Sequence, residues 1–228
     1  MKHHGVVALA AALVALAGAV GVFYVWRSGA PSVPRRVALV PLPILPKANG
    51  RIAFASDREG SADVYLMNAD GSGVEQLAGG IGAQTYPAWS PDGTRIVYNS
   101  ELFDRTNIYV MNADGSSVKR LTRGKVLDGY PTWSPDGKKI AFMSDRDGDF
   151  AIYVMYPDGS GIARVTDDED THDYPAWSPD GTKLLYNVFY PSGSQVHVKD
   201  NGSGEETALT GTRSNSCCAS WQPLPLEA

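Results

Sequence analysis

This chain of 228 residues has two cysteines, Cys217 and Cys218, and they are neighbours. Adjacent strand residues point to opposite faces, so a bridge between them is strained, and two cysteines build no disulfide framework. They read as two small strand residues. Histidine is scarce too: His172 and His197 are the only ones beyond the N-terminal pair. The chain lacks G-x-S-x-G, H-E-x-x-H, a P-loop and any cysteine–histidine pairing, which argues against hydrolase, zinc-peptidase and nucleotide chemistry. Carboxylates abound, but in loops with nothing to desolvate one of a pair. No enzyme is expected. Acidic residues are missing from residues 1–50, which hold five basic ones, so the net −5 of the chain becomes −10 for the remainder. A domain of that sign argues against nucleic acid, whose recognition rests on neutralising phosphate. After residue 26 no 3.6-residue pattern appears, which removes an α-solenoid.

What the N-terminus has is an uncharged run, Gly5 to Trp26, rich in Ala, Val and Leu. It is long enough to span a bilayer, with Phe23, Tyr24, Trp26 and Arg27 as interfacial anchors. Cleavage after Ala17-Gly18-Ala19 would leave the apolar stretch VGVFYVW on the mature chain, so residues 1–26 are read as a retained signal anchor. The positive-inside rule does not decide its orientation, because basic residues flank both ends. By default a first helix places the following domain outside. Residues 27–50 then form a linker stiffened by Pro31, Pro34, Pro41, Pro43 and Pro46, at ~3.1 Å per extended residue.

The remainder is periodic. Trp89, Trp133, Trp177 and Trp221 stand 44 residues apart, and Ile52, Ile96, Ile140 and Leu184 keep the same step, as do Val64, Ile108, Ile152 and Val196. A period in this range marks repeated supersecondary units. Within each unit short β-branched and aromatic runs alternate with Ser-Pro-Asp-Gly and Asn-Ala-Asp-Gly-Ser turns, which predicts four short antiparallel strands. Apolar residues on both faces of the central strands require cover on both sides, as in propeller blades. The array opens at Arg51 on a second-type strand and closes at CASWQ (218–222), a surplus first-type strand. The expected fold is an all-β propeller over residues 51–228, four blades of four antiparallel strands. The C-terminal strand would complete blade one and close the ring, leaving no exposed edge.

The run YPAWSPDG, a strand, SDRDG, IYVMNADGS and LT resembles the TolB-type, WD-like β-propeller repeat of bacteria. The match is nearly residue by residue over Tyr130 to Thr166 and extends over 51–222. The resemblance implies the fold and an extracytoplasmic binding role, on the periplasmic or extracellular side. TolB itself has six blades and an N-terminal α/β domain, so the likeness is to the repeat family and not to that protein.

Alternating strand direction puts the two stereotyped turns on one face and the variable loops on the other, where function usually sits. Those variable loops carry −8 of the domain's −10. The densest stretch is Asp167, Asp168, Glu169, Asp170, Thr171, His172 and Asp173, read as the docking surface for a basic protein or peptide. Tyr86, Tyr130 and Tyr174 precede proline at the mouths of first-type strands and join it as channel-mouth contacts. Asp145, Asp147 and Asp149 alternate as in a calcium loop but lack the later bidentate Glu, and are weak candidates for Ca²⁺. No cofactor is expected. The alternative function is a sensor of small molecules or cations in the central channel. A monomeric propeller is expected.

Overall fold

The computed structural model describes residues 50–222 except 81, 168, 169, 212–215 and 217, all within one compact unit, Lys47–Ala228. The expected anchor (1–26) and all of the linker but Gly50 lie outside the described residues. Among the described residues there is no helix, and hence none long and apolar enough to cross a membrane.

Fifteen strands form four antiparallel sheets. The first holds β1 (Ile52–Ser56), β2 (Asp63–Met67) and β3 (Glu75–Ala78). The second holds β4 (Ala83–Trp89), β5 (Arg95–Leu102), β6 (Arg105–Asn112) and β7 (Lys119–Arg120). The third runs β8 (Asp128–Trp133), β9 (Ile140–Ser144), β10 (Ala151–Met155) and β11 (Ala163–Arg164). The fourth runs β12 (Thr171–Trp177), β13 (Lys183–Tyr190), β14 (Gly193–Asp200) and β15 (Glu206–Ala208). Strands neighbouring in sequence neighbour in space, as in propeller blades.

The turns hold because their residues bond locally. Asp92 Oδ1 accepts from the Ser90 hydroxyl at 2.6 Å and from the Thr94 amide at 3.0 Å, while Gly93 takes φ 69°. That conformation suits a residue without Cβ. Asp136 and Asp180 repeat the arrangement. These bonds fix register, pairing Trp89 with Ile96, Trp133 with Ile140 and Trp177 with Leu184. A second recurring device closes the outer edge: the hydroxyls of Thr122, Thr166 and Thr210 accept from the amides of Ile108, Ile152 and Val196 at 2.9, 3.1 and 3.0 Å.

The apolar columns become the seams between sheets. Val64, Leu66, Ile96 and Met111 fill the first, with Trp89 packed against them. Val97, Ile108, Ile140, Phe142 and Trp133 fill the second. Ala141, Ile152, Leu184 and Val188 fill the third, with Trp177 against them. The tryptophans are therefore inter-sheet core, as their period requires.

Strand pairing that closes the ring is not formed among the described residues. The first sheet has three strands, and the described residues 218–222 form none. They lie beside the fourth sheet: Cys218 N donates to Asn187 Oδ1 at 3.2 Å, and Trp221 Nε1 donates to Ala176 O at 3.1 Å. Every other first-type strand meets its partner across an adjacent Ser-Pro-Asp-Gly turn. This segment's expected partner, β1, lies at the far end of the array, and no local turn sets its register.

Candidate functional site

Strands β4, β8 and β12 each carry a bulge at the same place, where the register slips between Thr85 and Ala88, Gly129 and Thr132, and Asp173 and Ala176. At the bulge Tyr86, Tyr130 and Tyr174 take φ of 53°, 53° and 49°. An aromatic residue is strained there, and bulges re-aim side chains. The result is convergence. The Tyr130 and Tyr174 rings stack at 4.1 Å, Tyr86 meets Tyr130 edge-on at 4.5 Å, and Tyr86 lies 6.4 Å from Tyr174. Burial, then bonding to Tyr174 and Tyr86, pushes the Tyr130 phenol far above its ordinary value. For Tyr174 the bond with Tyr130 pulls downward, but burial and Tyr86 outweigh it, and the phenol is raised. The three rings pack on one another and do not frame an opening among themselves. The fourth member of this column is Cys218, with φ 60°.

Beside Tyr174 sits Asp173. Burial raises its carboxyl to about 6, against the bond donated by Asn187 Nδ2 to Oδ1 at 2.8 Å. Asn187 also receives the amide of Cys218, so one side chain ties the inner strand of the fourth sheet to the C-terminal segment. Next to this cluster opens a cavity of about 690 Å³, lined by Tyr174, Phe189, Tyr190, Ser192, Ser194 and Cys218. Phe189 is partly exposed there, and Phe103, on the β5–β6 hairpin, is 87% exposed with φ 58°. Neither residue stands out in the sequence. Their signal is a pair of aromatics at or beside tips whose counterparts in the first and third units, Glu59 and Asp147, are charged.

The acidic stretch divides. Asp167 is exposed, its side chain 85% open, and lies 3.6 Å from the Lys199 ammonium. Asp168 and Glu169 fall outside the described residues. Asp170 is partly buried, and Asp173 is the half-buried carboxyl described above. His172 is a correction: it is fully buried, its ring 5.5 Å from that of Tyr186, so it presents nothing to a partner. Strand alternation turns it inward, in the column of the buried Gln84 and Asp128. Other charges on this face are withdrawn as well. Asp128 is fully buried against Arg146 at 3.0 Å, and Asp63 accepts from Gln76 at 2.7 Å. Exposed negative charge is thus concentrated at the hairpin tips and in the connection before β12.

The weak calcium candidates serve the hairpin. Asp145 Oδ1 accepts the Leu127 amide at 2.8 Å, Asp147 Oδ2 accepts the Tyr153 hydroxyl at 2.6 Å, and Asp149 is exposed. Among the described residues no group of three or more His, Cys, Asp or Glu is placed to hold a metal ion.

The sequence matches the family model of the TolB beta propeller domain over residues 82–224. A structure assigned as TolB from Agrobacterium tumefaciens is 28% identical with a TM-score of 0.65, covering 69% of this chain and 60% of that one. TolB from Acinetobacter baumannii is 26% identical with a TM-score of 0.63, covering 70% of this chain and 40% of that one. This chain therefore spans less than two thirds of either. A puromycin-hydrolyzing peptidase of Mycobacterium tuberculosis superposes with a TM-score of 0.57 at 18% identity, over 70% of this chain and 28% of that one, a likeness of fold alone. No curated protein matches the sequence.

Proposed function

We propose, from the premise that this chain belongs to the TolB β-propeller domain family, that it is an interaction module taking a basic protein or peptide on its acidic loop face. The observation that carries the reading is a juxtaposition. A cavity of about 690 Å³ with aromatic walls lies beside Asp173, the end of the acidic connection. Aromatic walls supply apolar contact area, and nearby carboxylates steer a cationic partner and set its register. A lysine or arginine approaching Asp173 would stabilise its ionised form, so binding below about pH 6 is accompanied by proton release.

Residues 1–26 would anchor the chain and the proline-rich linker would hold the propeller off the membrane, on the extracytoplasmic side. The tail 218–222 would complete blade one. Support for closure comes from Cys218, which shares the positive φ of the three first-strand tyrosines, and from the contacts that already hold the tail beside the fourth sheet. The function is binding rather than catalysis. A channel sensor is the second reading, and the mutual packing of the three tyrosine rings, which leaves no opening between them, speaks against it.

Crosslinking capture from native membranes tests this, run beside a variant with Asp167, Asp168, Asp170 and Asp173 changed to Asn. The expected result is a protein captured by the native chain and lost from the variant. Identical captures would sink the acidic-face reading.

A further inference from the structure

The seam between the third and fourth sheets differs from its neighbours at two positions of the repeat. Arg51, Arg95, Lys139 and Lys183 occupy one column of the repeat. Arg51 is held by Glu75 at 2.5 Å, and the Arg95 guanidinium lies 4.5 Å over the Trp133 ring, covering it. Lys139 is exposed, and among the described residues no ring contact or ion pair of its ammonium is formed. The second column reads Met67, Met111, Met155 and Lys199. A thioether is replaced by an amine whose ammonium donates to Val165 O at 2.7 Å, leaving its stem as a wall.

At this seam, where Lys139 stands in place of an arginine, a cleft of about 480 Å³ opens beside the turns at Asp180 and Asp200, and Lys199 on its wall also lies 3.6 Å from Asp167. Trp177 forms one wall, and Lys139, Tyr156, Asp180, Asp200 and Asn201 surround it. The Trp177 indole N–H is buried and finds no acceptor among the described residues, a donor shared with Trp89 and Trp133. Trp133 is buried beneath Arg95, whereas Trp177 is only partly buried and its ring lines the cleft.

The polar groups specify the ligand class. All hydrogen bonds formed by Asp180 and Asp200 among the described residues end on Oδ1, which leaves each Oδ2 as an acceptor. Asn201 commits its Nδ2 to Gly181 O at 3.1 Å and keeps its carbonyl. Lys139 supplies donors. Lys138, Lys139 and Lys199 are balanced by Asp136, Asp180 and Asp200, so the rim has no net charge and favours neither an anion nor a cation. Donors and acceptors alternating around an accessible aromatic face, in a cleft of that size, match a neutral polyhydroxylated ligand. We infer that this cleft is a saccharide-binding site, with one sugar ring laid against Trp177 and its hydroxyls bonded to Lys139, Asp180, Asp200 and Asn201.

The test is saturation-transfer NMR and tryptophan fluorescence on the full chain, titrated with triacetylchitotriose, cellotriose and maltotriose, and with sodium phosphate as the charged comparison. One trisaccharide is expected to bind. Lys139→Arg, which rebuilds the cover that Arg95 places over Trp133, is expected to weaken it by about tenfold or more without loss of thermal stability. Asn201→Ala, at an exposed turn, is the second variant and weakens binding independently of the cover. The inference is overturned if no trisaccharide binds at about 10 mM, if Lys139→Arg and Asn201→Ala both bind as the native chain does, or if phosphate binds more tightly than every sugar. Lys139 and Asn201 lie outside the acidic connection, so these two variants test the cleft without altering the residues on which the acidic-face reading rests.

Discussion

Asp173→Asn should stabilise this protein at neutral pH while leaving its stability in acid unchanged. An aspartate titrates near ~3.9 in the unfolded chain. Burial in β12 raises the folded value to about 6. Below ~4 both states carry the proton and Asp173 contributes nothing. Between ~4 and about 6 the unfolded state releases its proton first, the native state binds more protons, and stability falls as pH rises. Above about 6 the penalty is constant. At full weight the gap corresponds to roughly 3 kcal/mol, but the carboxyl is only half-buried, and solvent screening brings the expected penalty to about 1–2 kcal/mol. An asparagine carbonyl keeps the bond from Asn187 Nδ2 without the charge. Urea unfolding of both proteins, followed by tryptophan fluorescence at pH 4 and pH 7.5, should give equal midpoints in acid and a higher midpoint for the variant at pH 7.5. The reasoning fails if the variant is the less stable at pH 7.5, or if the difference between the two proteins is the same at both pH values.

Thr166→Val leaves the buried amide of Ile152 without its acceptor and should cost about 1–3 kcal/mol by chemical unfolding, with Thr122→Val costing a similar amount. Arg146→Met strands the fully buried Asp128 carboxylate, which predicts a loss of about 3–5 kcal/mol in the same assay; Arg146→Lys should lose less. Gly82→Ala would drive a Cβ into the carbonyl of Glu101 at φ 91°, so the melting temperature should fall by several degrees, whereas Gly50→Ala, where a Cβ meets nothing within 4 Å, should leave it nearly unchanged. Asp92 is drawn down to about 2, first by the Ser90 hydroxyl. The stabilisation it gives is present above ~4 and lost as pH falls toward 2, so Asp92→Ala should lower the melting temperature at pH 7 and change it little at pH 2.

The fold was legible wherever a residue repeated. Trp89, Trp133 and Trp177 recur at one spacing, and the structure pairs the strand of each with the next one across the predicted Ser-Pro-Asp-Gly turn. The three-stranded first sheet follows from a repeat region that opens at Arg51 on a second-type strand. What the period does not encode is the backbone at the bulges. The tyrosines were legible as one recurring column, yet their positive φ, and hence their mutual stacking, comes from a register slip that a residue column does not register. Burial by long-range pairing was equally hidden. Asp128 looks like any loop carboxylate until Arg146, on the next hairpin, folds over it. His172 was misjudged for a local reason: the charges around it outweighed the two-residue alternation that turns it inward. The cavity wall at Phe189 and Tyr190 required the tertiary structure, because it forms only where β13 meets the C-terminal segment.

The measurement closest to the central claim is the affinity of the captured partner for the native chain and for the Asp167, Asp168, Asp170 and Asp173 to Asn variant, each titrated at low and at high salt. If the loop face steers a basic partner, native affinity falls as salt rises, and the variant binds about tenfold or more weakly with a flatter salt dependence. Equal affinities and equal salt slopes for the two proteins would contradict the claim that the acidic loop face is the binding surface.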